Sequence, residues 1–435
     1  MLLDNPEDFP NSLWAATAPS FPERPHLTGS HATDVVVIGG GFTGLRTALE
    51  LAIAGTRVIL LEAQRIGYGA SGRTGGQCNP ILRMTPAATA ATLGRQHGEI
   101  LVQATIESAN ELFHTIERHQ IDCDPVQKGW IQAAHTAATA KKLETLYAAW
   151  TARGAKIDLL DRPTCERWSG SRDYLAGLFH KTAGHVQPLS LARGFAAALI
   201  RHGGEIYENS AVISAARGKG GKWTARTAQG DVTATNVVIA TNGYSGSLAS
   251  GLSRTILPMV SLLAATAPLS LSQRAEILPK LTTIADMRHA IFYARFDRDF
   301  RLAIGCLGSD PENPQALGGL SRLKSGAARI FPALKNATWD YAWGGRIAVT
   351  ADFLPHLHEP EPGLLIGLGF NGRGVAMSSV MGKALAAKIL GAADSTLPFP
   401  ISPLRAMSWH SLLSSILPLA APVLSAVDRI DTMRR

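Results

Sequence analysis

The stretch Asp34-Val-Val-Val-Ile-Gly-Gly-Gly-Phe-Thr-Gly-Leu45, followed after a helical interval by Arg57-Val-Ile-Leu-Leu-Glu62, decides the fold. It reads as a buried strand, a tight glycine turn, a helix and a second strand that ends in an acid. Gly39, Gly41 and Gly44 form Gly-x-Gly-x-x-Gly around Phe42 and Thr43. The first glycine permits the turn, the second lets backbone approach a pyrophosphate, and the third lets helix and strand pack closely. The helix N-terminus directs free N–H groups and partial positive charge at the phosphates. Glu62 closes the second strand, 21 residues after Gly41, where an acid accepts hydrogen bonds from ribose hydroxyls. Strands, turn, helix and acid in register predict a unit that binds the ADP half of a dinucleotide.

The remaining composition narrows the class. A chain of 435 residues spans two or three domains, and 46% hydrophobic content with only 17% charged residues excludes a disordered chain. The net charge of +8 raises a nucleic-acid reading. The basic residues are scattered, however, with short groupings such as Arg217–Lys222 and Arg434–Arg435 and no aromatic interleaving. No nucleic-acid partner is expected. The four cysteines, Cys78, Cys123, Cys165 and Cys306, have neither zinc nor disulfide spacing and suit a reducing cytoplasm, and no metal site is expected. Met1–Pro10 lacks a signal-peptide pattern. The apolar stretch Leu412–Val427 is broken by Ser414, Ser415, Pro418 and Pro422, so it reads as a docking or core-covering tail without integral membrane insertion.

Along the chain, residues 1–32 hold five prolines and read as an irregular arm. Helical periodicity predicts helices over 97–119, 137–153, 189–202, 318–331 and Val375–Leu390. Strands are expected at 129–133, 205–208, 211–216, 235–241, 291–296, 301–305 and 363–367, with a hairpin joining 222–227 to 231–234. The texture at 256–345 is that of a separate antiparallel layer, and nucleotide-fold texture then returns. The predicted organisation is a discontinuous nucleotide-binding domain over 33–95, 150–255 and 346–400. A substrate-binding domain is expected over 96–149 and 256–345, and a tail over 401–435.

After Glu62 comes Ala63-Gln-Arg-Ile-Gly-Tyr-Gly-Ala-Ser-Gly-Arg-Thr-Gly-Gly-Gln77. With residues 34–62 this resembles the D-amino-acid-oxidase-like superfamily of FAD enzymes, and within it the gamma-glutamylputrescine oxidase branch. Thr74 replaces that branch's usual Asn. The resemblance continues through Gly184-His-Val-Gln-Pro-Leu-Ser-Leu-Ala192, Val237-Val-Ile-Ala-Thr-Asn-Gly-Tyr244, Phe292-Tyr-Ala-Arg295, Arg301-Leu-Ala-Ile-Gly305 and Gly369-Phe-Asn-Gly-Arg-Gly-Val375. It covers roughly residues 30–405 in order.

The resemblance implies an α/β fold: a discontinuous Rossmann-like FAD-binding domain with an inserted α+β substrate domain built on an antiparallel sheet. It implies noncovalent FAD held by Gly39, Gly41, Phe42, Thr43, Gly44, Glu62 and Ala63. The loop Ala70, Ser71, Gly72, Arg73, Thr74, Gly75, Gly76 and Gln77 joins them, as do Val212, Ala240, Thr241, Asn242 and Gly243. The loop Asn371, Gly372, Arg373, Gly374 and Val375 closes the set, its N–H groups facing charge that develops on the flavin's pyrimidine edge. Arg73 offers a guanidinium to phosphate oxygens.

The implied reaction is oxidation of an amine C–N bond by hydride transfer, imine hydrolysis to an aldehyde, and reoxidation by O2 with release of H2O2. Amino-acid relatives carry a substrate-binding arginine in Trp-x-Gly-x-Arg-Pro. Here Trp343-Gly-Gly-Arg-Ile has Ile347 at that place and Arg346 one residue early. A one-residue shift on a strand reverses the side-chain face, which points to an amine without an α-carboxylate. Phe292, Tyr293, Trp343 and Arg346 are the substrate-pocket candidates, and His185 is expected to be structural. The alternatives are an amino-acid oxidase or dehydrogenase of the glycine, proline, sarcosine or pipecolate type and, in another class, a flavin- or nucleotide-binding RNA-modification or scaffold protein.

Overall fold

The structure is a computed structural model and describes residues 9–246 and 248–433. The first eight residues of the expected arm and the Arg434–Arg435 grouping lie outside the described residues. A six-stranded sheet carries the nucleotide unit, in the order His356–Glu361, Leu364–Leu368, Asn236–Ile239, Val35–Ile38, Val58–Leu61, Glu205–Tyr207. The last five strands run parallel, and only His356–Glu361 is antiparallel to its neighbour. Strands buried on both faces need partners on both, and the alternation supplies them. Val35, Val37, Val58 and Leu60 point into a core shared with the helices Phe42–Ile53, Pro188–Arg201 and Gly374–Ile389. Val36, Ile38, Ile59 and Leu61 point the other way, onto Trp223, Ala225, Val232 and Ala234 of a four-stranded sheet. That small sheet contains the expected hairpin, with Trp223–Arg226 antiparallel to Gly230–Ala234.

The second body is an eight-stranded sheet in the order Trp339–Val349, Leu257–Thr266, Leu302–Gly308, Tyr293–Phe296, Thr283–Asp286, Trp130–Ala134, Ala176–His180, Ile157–Leu160. It is antiparallel except where Thr283–Asp286 meets Trp130–Ala134. Here the boundaries differ from the sequence reading. Ala176–His180 pairs with Trp130–Ala134, and Ile157–Leu160 pairs with Ala176–His180 at the sheet edge, rather than either joining the nucleotide half. Conversely, the helix Arg95–Arg118, assigned to the substrate half, buries Leu101, Thr105, Ala109 and Leu112 in the core beneath the nucleotide sheet. The strand Trp339–Val349 also continues past residue 346, because it hydrogen-bonds to Leu257–Thr266 along its length.

The N-terminal arm is more ordered than its prolines suggest. Leu13–Thr17 is a helix capped by Ser12, whose Oγ accepts from Ala15 N at 3.1 Å. Trp14 is fully buried, edge-on to Trp343 at 5.6 Å between ring centroids. Its Nε1 donates to Thr74 O at 2.8 Å. Gly29–Ala32 adds a parallel edge strand to the small sheet. The tail is helical at His410–Ile416 and Ala420–Met433, joined by the 3-10 turn Leu417–Leu419. By length and composition the segment His410–Thr432 suffices to cross a membrane, and very little of it is buried. It covers only a small cluster, in which Ala421 packs on Ala290 and Leu307.

Candidate active site

A cavity of ≈ 750 Å³ runs from the glycine turn at Gly39–Gly41 to the underside of the eight-stranded sheet. At its nucleotide end the backbone is shaped by close approach. A Cβ on Gly44 would stand 2.0 Å from Gly39 O, so only glycine lets the helix Phe42–Ile53 start this near the strand. Ser71 Oγ accepts from Phe42 N at 2.9 Å, placing a hydroxyl at the helix entrance. Glu62 Oε2 accepts from Gly40 N at 2.6 Å and Oε1 from Gln64 N at 2.9 Å. Burial raises the Glu62 carboxyl above its ordinary range, and these backbone N–H groups pull it partly back. Glu208, unnoticed in the sequence, fixes the following loop: its buried carboxylate accepts from Ile66 N at 2.6 Å and from Arg24 N at 3.0 Å. No local motif marks it.

The loop after Glu62 is tied to the substrate sheet. Gln77 Nε2 donates to Ile284 O at 3.0 Å and Ala294 O at 3.1 Å. The buried Arg295 donates through Nε to Gly75 O at 2.8 Å and through NH2 to Val186 O at 2.7 Å. Burial lowers its pKa to about 9. His185, 3.2 Å from Arg295, is held neutral by burial and by that cation. It does not line the cavity. Arg73, nominated for phosphate oxygens, spends most of its guanidinium on protein groups. Its guanidinium meets Tyr68 O at 2.9 Å, Glu312 at 3.0 Å and Gly344 O at 3.3 Å.

The cavity wall brings together most of the nominated cofactor residues: Gly39, Gly41, Phe42, Thr43, Glu62, Ala63, Ala70, Ser71, Arg73, Thr74, Gly75, Gln77, Val212, Ala240, Thr241, Asn242, Asn371, Gly372, Arg373, Gly374 and Val375. Gly44, Gly72, Gly76 and Gly243 stand behind it, shaping the turns. Asn242 Oδ1 accepts from Gly369 N at 3.0 Å and so joins two loops. Asn371, at φ 52°, folds its side chain back onto its own loop: Oδ1 accepts from Thr350 N at 2.9 Å and Nδ2 donates to Gly369 O. It lines the cavity while tying its loop to Thr350.

Of the four pocket candidates, two line the cavity. Tyr293 does so, its hydroxyl hydrogen-bonded to Ser261 Oγ and its pKa raised by burial. Phe292, one residue earlier, takes the other face and packs over Gly326 in the far core. Trp343 lies behind the wall, donating from Nε1 to Arg73 O at 2.8 Å. Arg346 is exposed at the cavity edge, 5.4 Å from the Tyr244 ring, while Ile347 on the opposite strand face also lines the cavity.

Sequence reasoning missed Arg83. It lines the same wall as Arg373 and donates from Nε to Asn371 O at 3.1 Å. Arg373 stands over the Trp130 ring at 5.1 Å, with its Nε lacking a hydrogen-bond partner. Burial lowers the pKa of both, and their mutual repulsion adds to the shift at Arg373, which falls to about 9. Arg83 is open to the cavity yet walled in by protein, which reconciles its accessible surface with that shift. Among the described residues neither arginine has an acidic partner within ion-pair distance. Arg83 carries no motif signature, so nothing local could have found it.

The nucleotide sheet, the glycine cradle and the cavity beneath a substrate sheet define a dinucleotide-dependent oxidoreductase. A family profile, "DAO: FAD dependent oxidoreductase", matches residues 34–388. The chain belongs to this family and is an FAD-dependent oxidoreductase. It is 32% identical over 390 residues to gamma-glutamylputrescine oxidoreductase of Escherichia coli, covering 88% of this chain and 90% of that one. It is 31% identical to the probable oxidoreductase OrdL of Rhizobium meliloti, covering 87% and 88%. The structure of glycine oxidase from Geobacillus kaustophilus superimposes with a TM-score of 0.70 at 26% identity, covering 87% of this chain and 99% of that one.

Proposed function

We propose that this enzyme oxidises the C–N bond of an amine whose anionic group lies away from the reacting carbon, as in γ-glutamylated amines. The observation that carries the reading is the pairing of Ile347 with two unneutralised cations, Arg83 and Arg373, in one cavity wall. A walled-in cation without a counter-ion is costly, most of all at Arg373, and a carboxylate of the ligand removes that cost by charge-assisted hydrogen bonds. Arg346 lines only the exposed cavity edge, 5.4 Å from the Tyr244 ring, where solvent weakens its hold on an α-carboxylate. FAD, when bound, supplies the two-electron acceptor, with O2 proposed as the final oxidant.

The protein's own part is orientation. The Tyr293–Ser261 hydroxyl pair offers both a donor and an acceptor to the amine, and Tyr293 stays protonated because burial raises its pKa. Glu62, the carboxylate of the wall, sits at the nucleotide end, and no histidine or cysteine belongs to the wall among the described residues. This wall suits an amine that reacts as its neutral fraction without a catalytic base, and a noncovalently held flavin.

The test is anaerobic mixing of the holoenzyme with a panel of amines and amino acids while flavin absorbance is followed. Bleaching by γ-glutamylputrescine, much slower bleaching by putrescine, and recovery in air with peroxide release support the reading. Fastest bleaching by glycine, proline or D-alanine, lost in Arg346→Ala, would replace it with an amino-acid oxidase. Bleaching by NADPH alone would sink both.

A further inference from the structure

The C-terminal helical pair has one face on the substrate domain and one face bare. The inner face is fastened at three places. His410 Nε2 contacts Ile256 O at 3.0 Å, Ala421 is fully buried against Ala290 and Leu307, and Asp428 accepts from His289 N at 2.8 Å and Ala290 N at 2.9 Å. The outer face exposes Trp409, Leu412, Ile416, Leu419, Val423 and Ile430, at 76%, 57%, 49%, 53%, 57% and 51%. Their spacing keeps them on one side through both helices and the turn between them. A soluble monomer rarely leaves so long an apolar stripe in water.

Charge identifies the occupant. Arg405 and Arg429 are exposed at the two ends of the stripe, and the sequence continues into Arg434–Arg435. The two acids of the tail are turned to the body: Asp428 is buried on the backbone of His289, and Asp431 faces the His289 ring at 3.9 Å. The stripe is thus flanked by exposed arginines, while Asp428 is buried and Asp431, 38% exposed, is turned towards His289 on the body side. A second copy fits poorly, because parallel or antiparallel pairing alike sets cation against cation. The 3-10 turn with Pro418, and Pro422 beyond it, also breaks any continuous seam. An anionic bilayer surface matches both features: acyl chains take the stripe, headgroups take the arginines, and Trp409 sits at the interface. The three fastenings keep the segment in the plane of the surface rather than across it.

We propose that the tail docks the enzyme onto anionic phospholipid membranes, lying flat with its Trp409–Ile430 stripe in the headgroup–acyl boundary. The test uses the full-length holoenzyme in flotation with phosphatidylcholine vesicles, with and without phosphatidylglycerol. The expected result is binding to the phosphatidylglycerol vesicles, weakened by salt, with a blue shift of tryptophan emission that Trp409→Ser removes. Leu412→Asp/Ile416→Asp should abolish binding while substrate-driven flavin bleaching and the melting temperature stay unchanged. Arg405→Gln/Arg429→Gln should cut partitioning about fivefold per cation, or about 25-fold together. Absence of binding at low salt overturns the proposal. So does equal, salt-independent binding to both vesicle types, or a dimer lost in Leu412→Asp/Ile416→Asp without any vesicle binding.

Discussion

Substituting Gly44 by alanine tests the cradle directly. The new Cβ would lie 2.0 Å from Gly39 O and 3.2 Å from Val37 Cγ1. An ordinary C···O contact is about 3.3–3.6 Å, so backbone must move by more than about 1 Å. The atom in the way is a main-chain carbonyl of the glycine turn and not the end of a pliable side chain. Overpacking of this kind costs roughly 1–3 kcal/mol, and a backbone obstacle belongs at the upper end. Because the displaced atoms form the turn that approaches the pyrophosphate, most of that cost should fall on cofactor affinity. About 3 kcal/mol corresponds to a roughly hundredfold rise in the FAD Kd. Titrating apoprotein with FAD and following the quenching of flavin fluorescence measures it. Gly55→Ala is the control: Gly55 has φ +83° but nothing within 4 Å of the added Cβ. It should lower stability by about 1–2 kcal/mol of left-handed strain and leave the FAD Kd alone. The close-packing account is refuted if Gly44→Ala binds FAD within threefold of the parent, or if Gly55→Ala loses FAD equally.

Arg373→Met and Arg83→Gln should each raise KM for an anionic amine at least tenfold, with little change for a neutral amine of the same length, as steady-state kinetics on matched substrates would reveal. Trp14→Ala removes a fully buried indole that touches Trp343 and Thr74, so a loss of about 3–5 kcal/mol is expected in urea unfolding of the holoenzyme. His180 and His358 are held neutral by burial, with pKa values lowered to about 3 and about 4. The unfolded chain takes up their protons first. Their neutral packing is therefore fully supportive above about pH 6.5, and stability falls by about 1.4 kcal/mol per pH unit per histidine as pH drops from 6.5 towards 4. His358→Gln should flatten that slope in urea titrations at several pH values. Acid precipitation should leave all flavin in the supernatant, because the cavity wall offers no cysteine or histidine; yellow protein in the pellet would contradict this.

The nucleotide half was readable because its signals are local. Val35–Ile38, Gly39–Gly44 and Glu62 lie in one continuous stretch whose turn chemistry admits few other conformations. The substrate half was not, because a strand's face and neighbours are set by partners distant in sequence. Phe292 and Tyr293 were equally good aromatic candidates until pairing with Leu302–Gly308 turned Tyr293 inward, opposite Gly305. Ile157–Leu160, four residues that include an acid, carries no strand signal strong enough to place it, and only pairing with Ala176–His180 makes it one. Trp14 escaped notice because a single anchoring side chain in a proline-rich arm produces no periodicity. Arg83 became visible only when the fold placed it beside Arg373.

The strand Asn236–Ile239 sits between Val35–Ile38 and Leu364–Leu368, so the centre of one sheet is gathered from the beginning, middle and end of the chain. A ribosome delivering this chain has made the glycine turn long before the strand Leu364–Leu368 emerges. The emerging intermediate must hold the apolar edge of Asn236–Ile239 unpaired for well over a hundred residues of synthesis. Cofactor capture is then an event of the finished polypeptide, and chains stopped short of residue 364 should be substrates for chaperones and proteases rather than partly active enzymes.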